Sequence, residues 1–272
     1  MAPTPSSTGV WRWGRWSSEG SAPPPTFEHP EVRFLEFNMC GSACNQGNLV
    51  GVVNATRDSI LSYRPDVVLL NEVCLGQADR LVELLALRGF PVSGCFGATT
   101  RVSRCTTVSG ERWYGNAVLT RGAGIGTPAM IRLPNRPGLA EQRSVISMAA
   151  EIRGVRALVS ATHLTPRTKD ELYNRLQIAE LASIQNQRAL EGNVVVFGGD
   201  LNAAPSHLQE LYQPAGRFRE VDYPRNRATY SIHKIDFIFL NVESFFGLSG
   251  KVTRSRWSDH RPLRGAATLR AG

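Results

Sequence analysis

From residue 31 onward the chain alternates short apolar runs with longer segments of helical periodicity. "VRFLEFN" (32–38), "DVVLLNEV" (66–73) and "GNAVLTR" (115–121) are β-branched or aromatic runs bounded by turn formers, which predicts strands. So are "QRSVISMAAEI" (142–152) and "VRALVSATHL" (155–164), joined by a tight turn at Arg153-Gly154. "VVVFGGDLN" (194–202), "KIDFIFL" (234–240) and the end of "SDHRPLRGAATL" (258–269) complete the predicted strands. Between them, "NLVGVVNATRDSILSYR" (48–64) repeats apolar residues at helical spacing and stops before Pro65. "ADRLVELLALRG" (78–89) ends at Gly89, and "KDELYNRLQIAELASIQNQRALEG" (169–192) at Gly192. Helices after some strands and hairpins among others predict mixed sheets with helices packed outside, in layers.

The first thirty residues break this pattern. They are rich in Pro, Ser and Gly and end in "SAPPPTFEHP", which predicts a disordered arm over 1–30 ahead of one domain over 31–272. Inside the arm lies "WRWGRW", whose aromatics and arginines suit an anionic membrane surface, a stacked base, or packing back onto the domain.

The predicted strands share an oddity: polar groups at their ends. Asn38 closes the first, Glu72 nearly closes the second, and His163 closes the hairpin strand. Asp200 and Asn202 close "VVVFGGDLN", Asp236 opens "IDFIFL", and Asp259-His260 precedes the last strand. A sheet is a rigid mount from which such side chains can be aimed into one crevice. The set holds carboxylates suited to a hard divalent cation, histidines for proton transfer or phosphate contact, and amides for phosphate oxygens. Mg²⁺, with Mn²⁺ as a substitute, fits this mixture. Zinc fits less well, since no H-E-x-x-H or finger-type Cys/His spacing occurs.

Charge narrows the partners. The 272-residue chain carries a net charge of +8, which suits polyanions such as nucleic acid, phosphoesters or anionic lipid. No run reaches the roughly 18 apolar residues of a membrane span. The start lacks the apolar core of a secretory signal, which leaves an intracellular protein or a processed secreted form. Five cysteines, Cys40, Cys44, Cys74, Cys95 and Cys105, cannot all pair within one chain. One or two disulfides, such as Cys95 with Cys105, are expected, and these favour an oxidising compartment.

The segments "FLEFNMCG", "PDVVLLNEV", "YGNAVLTR", "ATHL", "GGDLNAAP", "KIDFIFL" and "SDHRPL", in this order, resemble the endonuclease/exonuclease/phosphatase superfamily, of deoxyribonuclease-I-like fold. The resemblance implies an α/β fold, a four-layer sandwich of two mixed β-sheets packed face to face with helices outside. It implies divalent-metal-dependent cleavage of phosphoester bonds. It assigns Glu72, Asn38 and Asp259 to the metal, and His163 to the scissile phosphate. It makes Asp200 the group that orients or deprotonates water, Asn202 a ligand of a phosphate oxygen, and Asp236 the acid that orients His260. Two departures stand out. Asn71 replaces the family's glutamine before the metal-site glutamate. Cys74 stands where pancreatic-type deoxyribonucleases carry an arginine that enters the minor groove, so their mode of duplex binding does not transfer. Three readings follow: a nuclease acting as a monomer, a hydrolase of a small or lipid phosphoester, or a binding subunit that uses the fold as a scaffold.

Overall fold

A computed structural model describes residues 9–18, 29–105, 111–212 and 215–270. The described strands form two seven-stranded mixed sheets. The first has the order β1-β5-β6-β4-β3-β14-β13, and the second β11-β12-β10-β9-β8-β7-β2. In the first sheet β1 is Val10–Trp13, β3 Glu31–Asn38, β4 Val67–Cys74, β5 Ser93–Arg101, β6 Trp113–Thr120, β13 Phe245–Val252 and β14 Leu263–Leu269. In the second, β2 is Trp16–Ser17, β7 Gly124–Arg132, β8 Ser144–Ile152, β9 Val155–His163, β10 Val194–Asp200, β11 Phe218–Glu220 and β12 Asp236–Asn241. The helices are α1 (Gly51–Tyr63), α2 (Leu75–Leu87) and α3 (Glu171–Leu190).

Alternation along each strand separates three cores. Val32 and Phe34 of β3 face the second sheet and join Val67, Leu69, Ile146, Val159, Val196 and Ile238 between the sheets. Leu35 and Phe37, one residue out of phase, face outward and pack with Val53 and Ile60 of α1 and Leu81 of α2. On the far side Val195 and Phe197 of β10 pack with Ile178 and Leu181 of α3. A strand buried on both faces must be apolar throughout, which is why β4 and β10 read as continuous runs rather than alternating ones. The layers are therefore helices, sheet, sheet, helix: the α/β sandwich expected. Among the described residues no helix is long and apolar enough to cross a membrane.

The expectation of a disordered arm over 1–30 does not hold for residues 10–17. Val10–Trp13 pairs antiparallel with β5, and Trp16 pairs parallel with Gly124 of β7, so one short segment closes an edge of each sheet. Trp11 and Trp13 are buried, and the Trp13 indole N–H donates to Asp79 at 2.8 Å. Burying two indoles offsets the ordering entropy that the Pro/Ser/Gly-rich flanks argue against. The rest of the arm lies outside the described residues, apart from residues 9, 18, 29 and 30.

The suggested Cys95–Cys105 bridge is also overturned. The disulfides are Cys40–Cys44 and Cys74–Cys105, and Cys95 is a buried free thiol. Cys95 lies on β5 and faces the apolar space between the sheets, where burial pushes its thiol well up. Proximity in sequence says nothing about which face of a strand a thiol occupies.

Candidate active site

The site lies where the carboxyl ends of β3 and β4 in one sheet meet those of β9 and β10 in the other. Register does most of the assembly. Asp200 is the direct partner of His163 on β9 and of Asp236 on β12, so three side chains from distant segments stand side by side. On the opposing sheet Asn38 is paired with Asn71, the residue before Glu72.

Glu72 owes its aim to a bulge. The pairing of β4 with β6 shifts between Leu70 and Val73, and Glu72 adopts a left-handed backbone, φ +52°. A bulge re-aims the side chains around it. Asn71 therefore reaches across to the other sheet, and Glu72 turns toward Asn38. The Asn71 amide donates to Asn116 Oδ1 and to the Thr162 carbonyl, both at 2.9 Å, and its oxygen accepts the Asp200 N–H at 2.8 Å. The asparagine that departs from the family's glutamine is thus a brace between the two halves of the site.

Gly199, the second of the two glycines before Asp200, is required by its surroundings. Its φ is +135°, and a Cβ there would stand 1.9 Å from the Thr162 carbonyl and 2.7 Å from Asn71 Oδ1. Only glycine lets the backbone pass between β9 and the Asn71 brace.

Asp200 Oδ2 is the hub. The Asn38 amide donates to it at 3.0 Å and to Glu72 Oε1 at 3.1 Å. His163 Nε2 lies 3.6 Å from it and His260 Nε2 3.7 Å. The other Asp200 oxygen accepts the Asn202 N–H at 2.9 Å. His260 Nδ1 lies 2.9 Å from the buried Asp236 carboxylate, and Tyr230 packs against its ring at 4.8 Å. Lys234, two residues before Asp236, pairs instead with buried Glu220 at 3.0 Å, so the two charges of "KID" serve different partners.

Electrostatics divides the two histidines. Burial pulls His163 well below its ordinary value, and Arg143, His260 and Lys169 add to the effect. The Asn202 amide lies 3.1 Å from its Nε2; an amide N–H can only donate, so Nε2 accepts and the ring is neutral. Burial also pulls His260 down, but the charge and hydrogen bond of Asp236, with Asp200 and Asp259, outweigh it and lift the group to about 9. Burial and the neighbouring Asp236 push Asp200 up to about 8, with Glu72 adding to the rise and His260 and Asn38 opposing it.

All eight residues singled out in the sequence lie on the strands and loops around this crevice, and of those assigned to the metal Asn38 stands beside Glu72. Groups of acid and histidine ligand atoms within 4.8 Å of one another put Glu72 with His163 and Asp200, and Asp236 with Asp200 and His260. The Asp259 carboxylate is instead grouped with Cys40 and Cys44, 3.6 Å from the Cys44 sulfur. Each disulfide lies two residues beyond a site side chain: Cys40 after Asn38, Cys74 after Glu72. Sequence reasoning missed Arg143 and Lys169, whose charges act on His163. It missed Tyr114, whose hydroxyl is influenced by Glu72, and Glu36, buried between the sheets with neither oxygen hydrogen-bonded. Tyr114 stands in the quoted "YGN" segment, and Glu36 inside "FLEFN", a carboxyl group facing the core where the strand alternation calls for an apolar residue.

The profile of the Endonuclease/Exonuclease/phosphatase family matches residues 35–260. No curated protein matches the chain in sequence. Among solved structures, an endonuclease/exonuclease/phosphatase from Beutenbergia cavernae is 22% identical with a TM-score of 0.66, over 89% of this chain and 72% of that one. The human Nocturnin catalytic domain with bound sulfate is 19% identical with a TM-score of 0.67, over 91% of this chain and 100% of the domain. TDP2 of D. rerio, complexed with a single-strand DNA product, is 16% identical with a TM-score of 0.64, over 88% of this chain and 98% of that one. At these identities the structures speak for the fold. The profile, which runs from the strand carrying Asn38 to His260 and so spans every residue of the crevice, speaks for descent: the chain belongs to the endonuclease/exonuclease/phosphatase family.

Proposed function

We propose that this family hydrolase is a divalent-metal-dependent phosphodiesterase acting on nucleic acid. The observation that carries the reading is the hub at Asp200: one buried carboxylate braced by Asn38 and flanked by a neutral and a charged imidazole.

The donor set fits a hard cation. Glu72, Asp200 and Asp236 crowd together, and none of them has a lysine or arginine within ion-pair distance among the described residues. Burial first, and then the neighbouring carboxylates, raise Asp200, and a cation would oppose both. Glu72, with Asn38 beside it, would hold Mg²⁺ or Mn²⁺, and the metal would polarise a phosphoryl oxygen. The Asp259 carboxylate, beside the Cys40–Cys44 disulfide, remains on the rim of the same crevice as a third candidate ligand.

The protein groups supply the rest. A cation beside Glu72 would favour the ionised form of Asp200, the form that can orient and deprotonate a water. His260, kept protonated by Asp236, presents Nε2–H to the developing charge on phosphate. His163 meets the substrate as a neutral imidazole steadied by Asn202, so it adds a polar contact without a second repelling cation. The +8 net charge and the single-strand DNA product carried by one structural relative support nucleic acid as the polymer.

The test is a side-by-side panel of oligonucleotides, plasmid DNA, RNA, sphingolipid vesicles and small phosphomonoesters, with and without chelator. Oligonucleotide cleavage that chelator abolishes and Mg²⁺ or Mn²⁺ restores is expected, with Glu72→Ala shifting the metal requirement to much higher concentration. Full activity of metal-free protein would defeat the metal assignment. Turnover confined to monoesters or lipid would defeat the nucleic-acid assignment.

A further inference from the structure

Beside the site, on the outer face of the first sheet, lies an open groove of about 820 Å³ between α1 and the loop joining β13 to β14. Arg254, Arg256 and Arg264 line it, with Trp257 between them. Its one acid, Asp58, is already paired with Arg57 at 2.7 Å. Arg264 is held by the Ser59 and Ser62 hydroxyls at 3.1 and 3.2 Å. Arg254 and Arg256 are exposed, and among the described residues neither has a carboxylate within ion-pair distance. A groove that gathers guanidinium charge without neutralising it is complementary to a polyanion.

Trp257 makes it more than a charged patch. One face of the ring is seated on α1, where a Cβ on Gly51 would stand 2.5 Å from it, so glycine there makes room for the indole. The residue is still 40% exposed, and the Arg256 guanidinium lies 5.7 Å from the ring centroid. A fixed, half-open indole among arginines is a surface on which an unpaired base can stack while its phosphates meet the charges. A base within a duplex has no free face to offer.

The groove is also mechanically joined to the crevice. The loop that carries Arg256 and Trp257 goes on directly to Asp259 and His260. Ser258 Oγ donates to the Asn38 carbonyl at 2.8 Å, and the Trp257 carbonyl accepts from Asn45 at 2.6 Å. Three residues of chain reach at most about 10 Å, so a strand with one phosphate at the hub reaches the groove within a few nucleotides.

We propose that this groove binds a single-stranded segment flanking the scissile phosphodiester, with Arg254 and Arg256 on phosphates and Trp257 under a base. The inference rests on the nuclease reading and goes further, to the strand state of the substrate and its path.

The experiment compares wild type, the Arg254→Ala/Arg256→Ala double variant and Trp257→Leu, each first shown to be folded by its melting curve. Binding of a short fluorescent oligothymidylate, of the same length as a duplex, and of anionic lipid vesicles is read in chelator, across a salt series. Hydrolysis of the oligonucleotide and of a small chromogenic phosphodiester is read with metal. We expect single strands to bind more tightly than duplex. The double variant should bind them roughly tenfold more weakly, with a salt dependence about 1.4 smaller in logarithmic slope, about 0.7 per lost phosphate contact. Trp257→Leu should lose roughly tenfold with little change in that slope. The ratio of oligonucleotide to small-diester kcat/KM should fall by a similar factor in the double variant. Unchanged oligonucleotide binding in both variants, or binding to vesicles alone, would overturn the groove. A wild type that cleaves oligonucleotides, with the double variant unimpaired, would overturn the groove and leave the nuclease reading intact. A wild type that binds single strands through these residues but hydrolyses no phosphodiester would uphold the groove and sink the nuclease reading.

Discussion

Replacing Asp200 by Asn tests whether the hub is built for chemistry at the expense of stability. The carboxyl group is 2% exposed and is raised from 3.8 to about 8, first by burial and then by Asp236. Because the folded value lies above the unfolded one, ionisation opposes folding. The penalty starts as pH rises through about 4 and is complete only above about 8. A shift of about four units at about 1.4 kcal/mol each puts it at up to about 6 kcal/mol, of which about 4 is present at neutral pH. The asparagine escapes that penalty but loses a partner. The Asn38 amide donates to Oδ2 and the Asn202 N–H to Oδ1, so an amide group in this position must face one donor with another, at about 1–3 kcal/mol.

The metal-free variant should therefore be more stable by about 2–4 kcal/mol near pH 8, or about 5–10 °C in Tm for a chain of this size. It should be level with wild type near pH 5, where Asp200 is protonated in the folded protein. Saturating Mg²⁺ should narrow the difference at high pH, because the cation binds the wild-type site more tightly. Turnover should fall by roughly 10²–10⁴-fold with KM little changed, as for an interaction made mainly in the transition state. Melting curves in chelator at the two pH values and hydrolysis rates with metal measure both halves. A variant destabilised equally at both pH values, with turnover close to wild type, would make Asp200 a turn former and refute the reasoning.

His163→Ala and His260→Ala should each lower turnover by roughly 10²–10⁴-fold. Both rings lie within 4 Å of Asp200 Oδ2, so their effects should combine less than additively; a double-variant loss equal to the product of the single losses would show that they act independently. Trp11→Ala should cost about 3–5 kcal/mol in a denaturant titration, since the buried indole packs edge-on against Phe96 and against Trp113. A change below about 1 kcal/mol would mean that the N-terminal strand is not part of the folding core.

Much of the fold was legible because burial on two faces leaves a local signature. The runs at 32–38, 66–73 and 194–202 became β3, β4 and β10, and the three helical periodicities became α1, α2 and α3 within a few residues. β5, with two glycines in "SGCFGATTR", carried no such signature, and neither did β2, which is two residues long. β1 was hidden for a different reason: its tryptophans are ordered by a partner, β5, more than eighty residues away.

The site divides along the same line. Identity and order of the strand-end polar groups were in the sequence, because each depends only on where a strand stops. Their convergence was not. Parallel pairing of β9 with β10 and antiparallel pairing of β10 with β12 set His163, Asp200 and Asp236 abreast, and the bulge at Glu72 turned Asn71 into a brace. Register and bulges are fixed by pairing between distant segments, and a one-residue slip reverses every side chain. The same holds for charge. A sequence shows that Asp200 and two histidines exist, but the low dielectric and the neighbours that raise Asp200, lower His163 and lift His260 arise only once the two sheets exclude water between them.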